Sequence, residues 1–235
     1  MSENQTSVTP RLVEQIVTPF LDCIIQGDNC DLLRQMPNEC IDLVVTSPPY
    51  DDLRNYGGHS WDFYGVAWNL KRILKPGGVI VWVVNDQVKN GSETGSSMEQ
   101  TLHFKRLGLN LHDTMIYHAV KPPTNDNRYQ QSFEFMFVFS KGAPARCNLL
   151  IDKKNNWAGT KNFGVRTQRD ADGTLKEGKQ TTVPEFSRRL NIWEYATGKG
   201  YSAEDECAFE HPAIFPEKLA ADNIASWSNE GDTVL

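Results

Sequence analysis

The stretch Ile41-Asp42-Leu43-Val44-Val45-Thr46-Ser47-Pro48-Pro49-Tyr50 decides which fold we expect for this chain. It begins as an apolar, β-branched run that is too short for a helix and is typical of a buried strand. Pro48 and Pro49 lack the backbone N–H that a continuing central strand needs, so the strand ends in a stiff loop. Because ligands bind beyond the carboxyl ends of strands in open α/β sheets, we expect a functional site at this loop.

The loop offers hydrogen-bond acceptors without an acid, a metal ligand or a strong base. Ser47 Oγ and the Pro48 carbonyl oxygen can accept from the two hydrogens of an exocyclic amino group on a nucleobase, which directs the nitrogen lone pair at an electrophile. The ring of Tyr50 offers a face on which a base turned out of the duplex can stack. The pattern therefore indicates chemistry at a weakly nucleophilic amino group.

Thr46-Ser47-Pro48-Pro49-Tyr50 after a Val/Ile strand resembles the catalytic motif of the S-adenosylmethionine-dependent amino-methyltransferases of DNA, which methylate cytosine N4 or adenine N6. The resemblance implies an α/β, Rossmann-like methyltransferase sheet in a circularly permuted order. It makes Ser47, Pro48, Pro49 and Tyr50 the catalytic residues, S-adenosylmethionine the cofactor and double-stranded DNA the partner, and it leaves a homodimer open. The cofactor-binding residues that it implies are Asp28 at the adenine, Thr46, and His211, Pro212, Phe215 and Pro216 towards the methionine end.

Ser47 favours cytosine N4 over adenine N6, because the adenine enzymes more often carry Asp at this position, but both bases stay open. Two other functions also stay open. One is a catalytically inactive remnant that binds DNA or a partner. The other is methyl transfer to a protein glutamine or to RNA, a group that shares the Pro-Pro-Tyr loop but usually has Asn in place of Ser47.

Hydrophobic periodicity predicts alternating strands and helices, as in a parallel sheet with crossover helices. The predicted strands are 23–26, the motif strand from Ile41, 79–84, 113–118 and 133–140. The predicted helices are 29–36 with Asn29 as its cap, 62–75, one that begins at a Ser97/Gln100 capping box and ends at Gly108, and 217–228. The Lys75-Pro76-Gly77-Gly78 segment predicts a turn, and the order of these elements again resembles the amino-methyltransferases.

We expect an N-terminal arm at 1–20, the catalytic half of the methyltransferase domain at 21–145, a target-recognition insert at 146–206 and the start of a cofactor-binding half at 207–235. In the permuted class the residues after Leu235 would form a glycine-rich cofactor loop and two central strands. No such loop occurs in the sequence. We therefore expect the central strands to be missing at the C-terminus, through a truncated reading frame or a lost tail, with a partner chain that supplies them as the alternative.

The segment from Arg146 to Tyr201 is basic on an otherwise acidic chain. It carries 11 Lys and Arg against 6 Asp and Glu, whereas the rest carries 13 against 24 and the whole chain has a net charge of −6. Aromatic and turn residues are interleaved with the cations, a pattern that suits contacts to phosphates and bases. The residues predicted to bind DNA are Lys153, Lys154, Arg166, Arg169, Lys179, Arg188 and Arg189.

The five cysteines of the 235 residues form no Cys-x-x-Cys pair, so the sequence predicts neither a disulfide framework nor a metal site. No N-terminal signal pattern is present, and no run approaches the ~18 apolar residues of a membrane span. We therefore expect a soluble, cytoplasmic protein.

Overall fold

The computed structural model describes residues 18–51, 61–119, 127–161, 169–175, 181–196, 198, 200–211 and 213–235. Most of the predicted N-terminal arm lies outside the described residues. The chain divides into two compact units, of which the first comprises Met1–Asn148 and Asn191–Leu235 and the second Leu149–Leu190. The first unit carries the main sheet and the second is built largely from loops.

The elements follow the predicted alternation along most of the chain. In chain order they are α1 (Asn29–Gln35), β1 (Ile41–Thr46), α2 (Phe63–Ile73), β2 (Leu74–Val84), β3 (Val88–Lys89), β4 (Ser92–Glu93), α3 (Ser96–Arg106), β5 (Asn110–His118), β6 (Phe133–Ser140), β7 (Lys153–Lys154), β8 (Phe186–Ser187), β9 (Ile192–Glu194) and α4 (Glu217–Trp227). Two 3-10 turns, Thr18–Phe20 and Glu206–Glu210, complete the set.

The main sheet has the strand order β1-β2-β6-β5-β9. β1 and β2 are parallel, as predicted, whereas β6 runs antiparallel to both of its neighbours. On the side of β1 away from β2, residues 233–235 add a short parallel segment. Leu43 and Val234 form the bridge, and Leu235 N donates to Leu43 O at 2.8 Å. The sheet is therefore mixed, and the motif strand β1 has a hydrogen-bonded neighbour on each side.

The predicted strand at 23–26 is wrong. These residues carry no strand pairing, and Ile24 and Ile25 are exposed. A strand needs a neighbour to satisfy its backbone groups, and in the described part of the chain no strand lies beside this segment. The cap of α1 also differs by one residue, since the Asp28 carboxylate accepts from Asp31 N at 3.0 Å.

The predicted capping box at the start of α3 is wrong as well. The helix begins at Ser96 after Gly95, and the Asp86 carboxylate accepts from Ser97 N at 2.8 Å and from Ser97 Oγ at 2.7 Å. Gln100 instead accepts from the buried Trp82 Nε1 at 2.8 Å. The helix is therefore capped by a carboxylate from the loop after β2, although it does end before Gly108 as predicted.

The predicted turn at 75–78 is a bulge of several residues at the start of β2. Ile41 pairs with Leu74, but Leu43 pairs with Val79, so the residues between them loop out of register. Gly77 lies in the left-handed region with φ of +81°, and a Cβ there would meet the Cβ of Ala145 at 2.8 Å. Gly77 N also donates to the Lys141 carbonyl, and the Gly77 carbonyl accepts from Ala145 N. Glycine is therefore required by both the backbone and the packing.

The core lies around the middle of the sheet. Trp82 on β2, Phe139 on β6 and Phe104 on α3 are almost fully buried. Phe104 packs edge to face against Trp82 and at a tilt against Phe139. The inward face of α2 contributes the buried side chains of Val66, Leu70 and Ile73. This rigid centre holds the carboxyl end of β1, where the motif loop begins.

Candidate active site

The motif loop presents one exposed hydroxyl on a stiff support. β1 ends at Thr46, the following Ser47 is exposed, Pro48 is buried, and Pro49 and Tyr50 are half-buried. Ser47 Oγ lies 2.9 Å from the Tyr50 hydroxyl oxygen. The Tyr50 hydroxyl in turn donates to Glu134 Oε2 on β6 at 2.7 Å. A chain of hydrogen bonds therefore runs from the exposed serine to a carboxylate on a central strand.

Glu134 lies between two tyrosines. Burial, and then the negative charge of Glu134, raise the pKa of Tyr50 well above its ordinary value, so Tyr50 acts as a neutral hydroxyl. Burial and the same carboxylate raise the pKa of Tyr117 to about 12. Tyr117 on β5 is the cross-strand partner of Glu134. Sequence reasoning missed Glu134, although a carboxylate inside the aromatic run Phe133-Glu134-Phe135 was a usable signal.

Asp51 fixes the far end of the motif loop and was also missed. Its backbone is in the left-handed region with φ of 49°, which Asp tolerates better than most residues. Its Oδ2 accepts from Thr94 Oγ1 at 2.6 Å, from Ser96 Oγ at 2.9 Å and from Gln87 N at 3.3 Å. The loop is thereby tied to the segment that begins α3.

A cavity of about 450 Å³ opens beside the motif. Its lining includes Thr46, Ser47, Pro48 and Pro49 on one side, and apolar side chains such as Leu32 on α1 and Trp82 on β2 elsewhere. The volume falls in the range of roughly 300–1,000 Å³ for small-molecule sites, which are mostly apolar with a few polar groups. The cavity therefore suits a ligand of cofactor size with an apolar part.

The structure brings only part of the predicted cofactor set to this cavity. Thr46 lines it, and Asp28 caps α1 next to Asn29, which also lines it. His211 is exposed with Nδ1 2.6 Å from the Ala213 carbonyl oxygen, the half-buried Phe215 and the buried Pro216 precede α4, and these three are not lining residues. Pro212 lies outside the described residues.

The predicted DNA-binding residues belong to the second unit and differ in their surroundings. Lys153 and Lys154 on β7 and Arg188 next to β8 are exposed, and β7 pairs with β8 as an antiparallel ribbon. Arg169 donates to the carbonyl of Gly173 in its own turn, and Arg189 forms an ion pair with Asp152. Arg166 and Lys179 lie outside the described residues.

Comparison with known proteins decides the family. A family model described as DNA methylase matches residues 41–235, which include the motif, the sheet and the second unit. The chain belongs to this DNA methylase family. The predicted family and its S-adenosylmethionine-dependent enzyme class are thereby confirmed.

Three curated methyltransferases show how far this likeness extends. The chain is 56% identical over 206 residues to the orphan methyltransferase M.BamHII of Bacillus amyloliquefaciens, covering 86% of this chain and 78% of that protein. It is 28% identical to M.HinfI of Haemophilus influenzae over 95% of this chain. It is 23% identical to M.BglII of Bacillus subtilis over 100% of this chain. The chain spans 60% of M.HinfI and 64% of M.BglII, less than two thirds of either.

Among solved structures, the PvuII DNA methyltransferase, described as cytosine-N4-specific, matches 88% of this chain and 71% of its own with a TM-score of 0.58 and 18% identity. This likeness confirms the Rossmann-like methyltransferase fold. The permuted order and the expectation about strands beyond Leu235 stay predictions. Across the described residues, no helix is both long and apolar enough to cross a membrane.

Proposed function

We propose that this chain transfers the methyl group of S-adenosylmethionine to the exocyclic amino group of a base in double-stranded DNA, with cytosine N4 as the first candidate and adenine N6 as the second. The observation that carries the proposal is the exposed Ser47 hydroxyl, held on two prolines at the carboxyl end of β1 beside a cavity of cofactor size. The preference for cytosine rests on Ser47 itself.

Ser47 and the Pro48 carbonyl each accept one hydrogen of the amino group and so direct its lone pair. The prolines restrict the loop, which reduces the entropy lost when the base is positioned. Tyr50 supports the base by stacking, as is common for bases taken out of a duplex. Thr46 and the apolar lining of the cavity would hold the cofactor, with Asp28 near its adenine. The role of His211, Pro212, Phe215 and Pro216 at its methionine end stays a prediction, because the described ones do not line this cavity. The cofactor supplies a methyl group on a positively charged sulfur, which makes the methyl electrophilic.

The second unit supplies DNA contacts in this proposal. Lys153, Lys154 and Arg188 are exposed cations on or beside a two-stranded ribbon, an element that DNA-binding proteins place in the major groove. Arg189 forms an ion pair with Asp152 inside this unit, and its predicted contact with DNA stays a prediction. The five cysteines are free thiols, which suits a reduced cytoplasm where DNA is available. Homodimerisation is a separate prediction, which sedimentation velocity of the purified chain measures.

The test is methyl transfer by the purified chain. It is incubated with S-adenosylmethionine labelled in the methyl group and with plasmid DNA from a methylation-deficient host, and the DNA is then digested to nucleosides for mass spectrometry. We expect labelled N4-methylcytosine, or labelled N6-methyladenine if the second candidate holds.

Parallel reactions with RNA and with cell protein separate the other functions. Label on RNA or protein and none on DNA would overturn the proposal in favour of the other methyltransferase class. Binding to DNA without any transfer would favour an inactive remnant.

A further inference from the structure

We infer that Glu134 is a positioning residue, which fixes the direction of the hydrogen bonds through Tyr50 and Ser47 so that the Ser47 oxygen faces the substrate amino group as an acceptor. The inference deepens the proposed function and rests on it. It is carried by the distances along the chain, 2.7 Å from Tyr50 to Glu134 and 2.9 Å from Tyr50 to Ser47.

The direction follows from counting hydrogens. A tyrosine hydroxyl has one hydrogen, and an ionised carboxylate can only accept, so the Tyr50 hydrogen points to Glu134. The Tyr50 oxygen can then only accept from Ser47, which uses the one hydrogen of that serine. Both lone pairs of Ser47 Oγ are then left for donors on the exposed side. The raised pKa of Tyr50 supports this arrangement, because the phenol keeps its hydrogen.

The opposite direction would block the reaction geometry. If Tyr50 donated to Ser47, the Ser47 hydrogen would be free to turn towards the substrate, where it would meet the hydrogens of the amino group. Two donors would then face each other, and the amino nitrogen would lose one of its two acceptors. Glu134 prevents this, because its carboxylate can only accept the Tyr50 hydrogen.

The sheet restrains the position of Glu134. It lies on β6, which is paired on both sides, and its neighbours Phe133 and Phe135 contact each other edge to face. A group on a paired strand is held more closely than one on a loop. The motif loop can therefore take its hydrogen-bond direction from the sheet instead of from solvent.

The variants Glu134→Gln, Tyr50→Phe and the double variant test the inference. Glutamine keeps the shape of Glu134 but can also donate, so it no longer fixes the direction; Tyr50→Phe removes the relay and keeps the ring. For each single variant we expect kcat of methyl transfer to fall by about ten- to a hundredfold, with KM for DNA within about twofold of the original. Because both residues act through the same series of hydrogen bonds, kcat of the double variant should be no lower than kcat of the less active single variant.

A second readout needs no cofactor. It is the NMR spectrum of the chain with its tyrosines labelled with carbon-13 at Cζ. The line that disappears from this spectrum in Tyr50→Phe belongs to Tyr50. In Glu134→Gln we expect this line to shift upfield, as a weaker hydrogen bond requires.

A second tyrosine–glutamate pair provides the matched control, since Tyr64 donates to Glu99 Oε1 at 2.9 Å on the helices α2 and α3, outside the motif. Glu99→Gln should shift the Tyr64 line only and leave kcat unchanged.

An original rate in both single variants, or losses that add in the double variant, would overturn the inference while the proposed function stands. An unmoved Tyr50 line in Glu134→Gln would overturn it as well. If the unaltered chain transfers no methyl group to DNA, the proposed function fails instead, and the carbon-13 lines still decide whether Glu134 sets the direction of the chain.

Discussion

At the scale of single residues, the motif combines one exposed hydroxyl with a strongly restricted support. Ser47 is exposed, but the residues on either side of it are held by β1 and by the buried Pro48. A change of its side chain should therefore alter the chemistry without disturbing the fold.

We predict that Ser47→Ala lowers the rate of methyl transfer by about ten- to a hundredfold, because one of the two acceptors for the amino group is lost. Binding of duplex DNA should remain within about twofold, and both quantities are measured on the same preparation. Ser92→Ala, an exposed serine on β4, is the matched control and should keep the original rate. Full activity of Ser47→Ala would contradict the proposed role of this hydroxyl.

The motif could be singled out from sequence because Ser47 to Tyr50 are contiguous. Glu134 could have been singled out too, as a carboxylate inside an aromatic run, but its contact with Tyr50 could not, because the two residues lie 84 positions apart. Asp51 contacts residues 36 to 45 positions away, and nothing local marks those partners. Single-sequence reasoning finds a constellation when it is contiguous and misses its long-range supports.

At the scale of elements, apolar runs predicted the central strands well because burial in a sheet leaves a direct trace in composition. The errors came where another segment decides the outcome. The run at 23–26 has strand composition but no neighbour in the described chain, and α3 takes its cap from Asp86, which lies 11 positions before Ser97. Caps and pairings of this kind depend on tertiary structure, which local patterns do not contain.

The bulge at the start of β2 allows a quantitative prediction. Gly77 and Gly91 both have positive φ, but a Cβ would meet Ala145 at 2.8 Å at Gly77 and nothing within 4 Å at Gly91. We predict that Gly91→Ala lowers the free energy of unfolding by about 1 kcal/mol from backbone strain alone. Gly77→Ala should cost about 1–3 kcal/mol more, because crowding is added.

Urea unfolding of both variants measures this difference. Equal losses would show that the contact with Ala145 relaxes freely and that only the backbone conformation matters at Gly77.

At the scale of the whole molecule, the second unit is basic, whereas the chain as a whole has a net charge of −6. Neutralising phosphates releases counterions, so each phosphate contact adds about 0.9 to the slope of log affinity against log salt concentration. We predict that the triple variant Lys153→Ala, Lys154→Ala and Arg188→Ala lowers the magnitude of this slope by about 2 to 3 and weakens binding to all DNA sequences alike.

Fluorescence anisotropy of labelled duplexes across a salt series gives the slope. The matched control removes three exposed cations from the first unit, Arg34, Lys105 and Arg106. An equal loss of slope in the control would mean that net charge alone attracts the DNA, and that the second unit makes no specific phosphate contacts.

The short parallel segment at residues 233–235 also bears on how a newly made copy matures. Thr233 N donates to Asp42 Oδ2, a contact that joins positions 191 residues apart, and contacts of such separation form slowly. Until residues 233–235 have left the ribosome, β1 is paired only with β2, and Leu235 cannot take its place in the lining of the cavity. A nascent chain should therefore expose its motif loop long before the cavity beside that loop has its full lining.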